Sequence, residues 1–173
     1  MSAAQPLPDP NVRSQSYYAV CTDTGCWYCG LSTRVLALAV PHNHEILDAD
    51  APGVTGGHDA AVPDEWQRAN INAFLFYVEF IPAGVQRRLT QLSRHYRLAH
   101  SNATLGSYWA NHCQHCGALL GDHELHCEPD GAFVPTSEGA ATRIQLLQIH
   151  EPFEALAAGY AFEPEFFRFM NKS

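Results

Sequence analysis

Two matching clips constrain this chain more than any other feature: Cys26-Trp27-Tyr28-Cys29-Gly30 and Cys113-Gln114-His115-Cys116-Gly117. Each is a Cys-x-x-Cys followed at once by glycine. Two thiolates three positions apart can grip one ion if the backbone turns tightly between them. The residue after the second cysteine then favours a positive φ, which glycine adopts without strain. Together Cys26, Cys29, Cys113 and Cys116 supply the four sulfurs of a closed tetrahedral zinc site. Such a site leaves no position for water, so it stabilises without catalysing. Two other readings exist. A redox dithiol sits at a helix N-terminus after a strand, whereas here glycine and then β-like sequence follow each clip. Four ordinary buried cysteines are the remaining reading. Four thiolates do not by themselves distinguish zinc from iron.

Composition bounds the rest. At 173 residues and 46% apolar, the chain is expected to form one folded domain with a sizeable core. Its net charge of −8, from 18 acidic and 10 basic residues, opposes general polyanion binding. No stretch is long and apolar enough for a membrane span. Residues 1–10 show neither a basic nor an apolar signal region. Cys-x-x-Cys pairs without a signal read as metal-binding, and the expected location is cytoplasmic.

Along the chain, residues 1–14 read as a flexible leader and 15–173 as one zinc-binding domain. Residues 16–21 and 33–40 read as strands, which puts the first clip at the tip of a hairpin. An integral insert then occupies about 41–107. It opens with an acidic loop over 42–66, followed by a buried strand over 71–81. Residues 82–99 read as an amphipathic helix, because Val85, Leu89, Leu92 and Tyr96 fall on one stripe. A turn over 102–106 leads through Tyr108 and Trp109 into the second clip. Beyond it, 118–120 and 133–134 read as short strands, with turns at 121–122 and 128–131. Residues 141–149 are ambiguous between strand and helix, and strand is the reading taken. Residues 152–158 read as a short helix closed by Gly159, and 164–170 as another. The aromatics Tyr160, Phe162, Phe166, Phe167 and Phe169 offer a partner surface, but more often such a cluster packs a terminal helix onto the core.

Beyond the clips, two groups of side chains offer chemistry. His42, His44, His123, His126 and Cys127 follow the two clips and could hold a second, open metal site, with Glu45 or Glu124 as base. Against this, His123 and His126 lack the i, i+4 spacing that sets two rings on one helix face. Arg87, Arg88, Arg94 and Arg97 lie mostly off the apolar stripe of the helix and offer a phosphate-binding face over 84–99. The same face is what any solvated helix presents. No nucleophile or phosphate-loop signature occurs.

The clips resemble the paired knuckles of the zinc-ribbon class. The run from Tyr108 to Asp122 is similar to a segment of uncharacterised bacterial zinc-knuckle proteins. The resemblance covers the surroundings of the two clips and implies a zinc site and a local fold. The expectation is an α+β domain: a mostly antiparallel sheet whose two zinc-ribbon-like knuckles clamp one four-cysteine zinc, with one main amphipathic helix packed on it. The expected function is non-catalytic binding of a protein partner or a second copy. The alternatives are nucleic-acid binding through the Arg-bearing helix and metal-dependent hydrolysis at a second site.

Overall fold

The computed structural model describes residues 7–47 and 65–173. Most of the expected acidic loop, including Asp48, Asp50, Gly56 and Asp59, and residues 1–6 of the expected leader lie outside that range. In chain order the strands are β1 (Val12–Ser14), β2 (Tyr17–Gly25), β3 (Ser32–Val40), β4 (Glu45–Ile46), β5 (Gln67–Arg68) and β6 (Ala73–Phe80). Helix α1 (Ala83–Leu92) leads to β7 (Tyr96–Ser101), β8 (Gly106–His112) and β9 (Leu119–Leu120). After α2 (Asp122–His126) and α3 (Glu138–Ala141) come β10 (Gln145–Ile149), β11 (Phe153–Phe162) and β12 (Asn171–Lys172).

The main sheet runs β12-β10-β2-β3-β6-β11-β1-β4-β5, antiparallel throughout except for the β10–β12 pair. A smaller antiparallel sheet, β7-β8-β9, carries the second clip. The central strands are apolar on both faces because both faces are covered. Tyr17 and Ala19 of β2, with Leu36, Leu38 and Val40 of β3, join a core that includes Val85 and Leu89 of α1. The alternate residues Tyr18, Val20, Val35, Ala37 and Ala39 face a second core with Leu125, Phe133, Ile144 and Phe167. Cys26 and Cys113 belong to that second core. The mostly antiparallel architecture and the first hairpin agree with the sequence.

Several expectations need correction. Residues 11–14 of the expected leader are part of the fold, because Val12 is fully buried in β1 and the Asn11 side chain brackets Ala157. The helix expected over 82–99 ends at Leu92. Ser93 turns extended at φ −157°, its hydroxyl accepts the His95 N–H, and Tyr96 enters β7 opposite Asn111. Tyr96 is buried as the stripe required, but from a strand, while Leu92 is 42% exposed.

The helix expected over 152–158 is strand β11. Phe153, Ala155 and Ala157 alternate inward, and the chain fills the gap between β1 and β6. The helix preference of alanine amounts to tenths of a kcal/mol per residue, which pairing along both edges overrides. Gly159 does not close a helix. It lies opposite Phe76, whose ring occupies the space where a Cβ would sit. Residues 121–122 start α2, Phe133 lies in a loop with its N–H donating to the Leu125 carbonyl, and 164–170 yields only a 3₁₀ turn at Phe167–Phe169.

Candidate metal centre

The two knuckles repeat one backbone pattern. The first cysteine donates its N–H to a carbonyl five residues on, Cys26 to Leu31 and Cys113 to Ala118, each at 2.9 Å. The glycine donates back to that cysteine's carbonyl, Gly30 to Cys26 at 2.8 Å and Gly117 to Cys113 at 2.9 Å. Gly30 has φ 73° and Gly117 φ 75°, and a Cβ on either would meet nothing within 4 Å. The left-handed backbone, not crowding, therefore requires glycine at both positions.

The four sulfurs lie within 4.8 Å of one another. Cys26 Sγ is 3.6 Å from Cys116 Sγ, and Cys29 Sγ is 3.7 Å from Cys113 Sγ. A disulfide needs about 2.0 Å, which excludes one here. A tetrahedron of sulfurs around zinc, with bonds of about 2.3 Å, has edges of about 3.8 Å. The donor set and the spacing both fit a four-coordinate ion. Charge points the same way. Burial disfavours the Cys113 thiolate, but the N–H groups of Cys116 and His115 outweigh it and bring the thiol down to about 6. The Ala118 N–H favours the Cys116 thiolate, yet burial and the adjoining sulfurs push that thiol up to about 12. Four sulfurs this close do not all ionise unaided, and a bound dication would allow it.

Hydrogen bonds beyond the sulfurs lock the knuckles together. Trp27 Nε1 donates to the Leu119 carbonyl at 2.9 Å, tying the first knuckle to β9. In return the Gln114 N–H donates to Thr33 Oγ1 at 3.0 Å, and His115 Nε2 lies 2.9 Å from the Ser32 carbonyl. Asn111, 2% exposed, bonds the Leu36 N–H and C=O at 2.8 Å each. Its amide acts as a one-residue strand on β3 just before the second clip. Truncation in Asn111→Ala leaves a buried N–H and C=O of Leu36 unpaired, and each costs about 1–3 kcal/mol. The expected loss is about 3 kcal/mol, read as a lower urea midpoint at unchanged slope, with metal content retained.

The histidine groups do not assemble. Among the described residues the four thiols are the one group of three or more His, Cys, Asp or Glu ligand atoms close enough to share an ion. His44 is fully buried with Nδ1 2.8 Å from the Pro41 carbonyl, and burial lowers its pKa. His126 stacks between Phe76 and Phe133, at 5.3 and 4.8 Å, and burial brings it down to about 3, so it stays neutral. His42 is exposed, His123 pairs with Glu128 at 3.0 Å, and Cys127 is a free exposed thiol.

The arginine face is also broken up. Arg87 and Arg88 are on α1, but Arg94 lies past its end and Arg97 is on β7; Arg88 bonds Glu151.

Sequence reasoning passed over Asn111 and Asp122. Asp122 is 3% exposed, and its Oδ2 accepts the Tyr77 N–H at 2.6 Å from a Tyr77 backbone at φ 49°. The one signal was the Gly121-Asp122 pair, which read as a turn. Comparison with protein-family models, with curated proteins and with solved structures gave no significant match.

Proposed function

We propose that the protein is a zinc-stabilised, non-catalytic binding or interaction protein of the bacterial zinc-knuckle kind, acting in the cytoplasm. The observation that carries this reading is the sulfur tetrahedron. Cys26, Cys29, Cys113 and Cys116 would take every position of a tetrahedral ion, and neither water nor substrate would then reach it. What the site supplies is a fixed junction between the β2–β3 hairpin and β8–β9. The knuckle tip supports the binding role: Trp27 and Tyr28 are each 72% exposed. Aromatic rings held outside a core serve as anchors at protein interfaces, and a protein partner or a second copy fits them.

Elemental analysis of protein purified without added metal tests the reading. The expected result is one zinc per chain, with cooperative unfolding when a chelator removes it. One iron in place of zinc would keep the clamp and change only the metal. Two metals, the second weakly held and lost in a His42→Ala, His126→Ala double variant, would overturn the non-catalytic reading in favour of a hydrolase.

A further inference from the structure

A cavity of about 740 Å³ lies between the first knuckle, the β7–β8 turn and α2. That is the size of a site for a small molecule or a long side chain. Three rings line it, Trp27, Tyr77 and Tyr108, the last two meeting edge to face at 5.1 Å. Trp27 is exposed yet held in one orientation by its bond to Leu119, so its ring stands at the entrance. Asp122 and Glu124 line the same space, and no Lys or Arg does. The other lining acids are engaged, Glu128 by His123 and Asp130 by the Thr136 hydroxyl. Neither Asp122 nor Glu124 has an ion-pair partner among the described residues.

Carboxylates and ring faces act in the same sense. Both attract a cation and both repel an anion, while the apolar wall favours an alkyl chain behind the charge. We propose that this cavity binds an alkylammonium group, on a free amine or on the lysine side chain of a partner protein. Asp122 accepts the ammonium protons, and Trp27, Tyr77 and Tyr108 cover the chain. The inference rests on reading the protein as a binding protein, and metal content tests that reading independently of any ligand.

The experiment titrates hexylammonium, hexanol and a blocked Gly-Lys-Gly peptide into the metal-loaded full chain at about pH 8.5, where the Asp122 carboxyl is ionised, followed by calorimetry. Hexylammonium or the peptide is expected to bind at least tenfold more tightly than hexanol. Tighter binding of the peptide assigns the ligand to a protein partner; tighter binding of the free amine assigns it to a small molecule. Asp122→Asn is expected to weaken binding at least tenfold. Glu154→Gln removes one negative charge from the exposed face of β11 and is expected to leave binding unchanged. Unfolding curves on the same samples establish that Asp122→Asn is folded. Equal affinity for hexanol, unchanged binding by Asp122→Asn, equal loss in Glu154→Gln, or no binding at millimolar concentration would each overturn the proposal.

Discussion

Cys113→Ala is expected to reduce bound metal well below one equivalent per chain and to abolish cooperative unfolding near room temperature. Cys113 is 1% exposed and stands at the junction of the second core with the knuckles. Its removal leaves three sulfurs and an open position. Zinc bound by four-ligand finger peptides contributes about 10–16 kcal/mol, and whole domains are stable by only about 5–15 kcal/mol. Losing even a third of the metal's contribution brings a domain of this size close to its threshold. Elemental analysis with circular dichroism through a thermal ramp reads both quantities. A variant that keeps full metal and an unchanged transition would show that the sulfurs do not clamp an ion. Cys127→Ala, which removes an exposed thiol, serves as the control.

Asp122→Asn should move stability the other way. Burial raises the Asp122 carboxyl from 3.8 to about 7, with Glu124 adding to the rise and the Tyr77 N–H opposing it. The folded chain therefore holds a proton that the unfolded chain has already released. Stability falls as pH rises between the unfolded and folded values, and above about 7 the whole penalty is present. About three pH units correspond to as much as 4 kcal/mol. Asparagine carries no charge and can still accept the Tyr77 N–H. The variant is therefore expected to be more stable than the parent by about 2–4 kcal/mol at pH 8, with the gap closing toward pH 4. Urea unfolding of both proteins at several pH values measures the gap, and groups common to both cancel. An equal gap at every pH would mean that Asp122 is not the titrating group. A carboxyl that destabilises the fold, set beside a cavity, is what a binding site retains at the expense of stability.

What could be read in advance followed from spacing that physics makes local. The Cys-x-x-Cys-Gly clips declare their turn, their glycine φ and their ligand count within five residues. The runs at 35–40 and 73–78 are apolar without alternating, which suits β3 and β6 between two cores. The failures were decided by distant partners. β11 has the alanines and the Pro152 start of a helix, and only β1 and β6 make it a strand. Val85, Leu89, Leu92 and Tyr96 keep helical spacing, yet pairing with β8 claims Tyr96. Asn111 gave no warning and Asp122 read only as a turn, because one polar letter cannot show that its partner is the backbone of Leu36 or Tyr77.

The place of β11 in the sheet also orders events during synthesis. Both Cys pairs have left the ribosome's exit once residue 116 has emerged, so an ion held by all four would join the two knuckles early. Among the described residues, the strands β1, β4 and β5 join the rest of the sheet only through β11, which ends at Phe162. Until β11 emerges, the four cysteines are already available to an ion while the sheet stays in two pieces, with bare edges at β6 and β1.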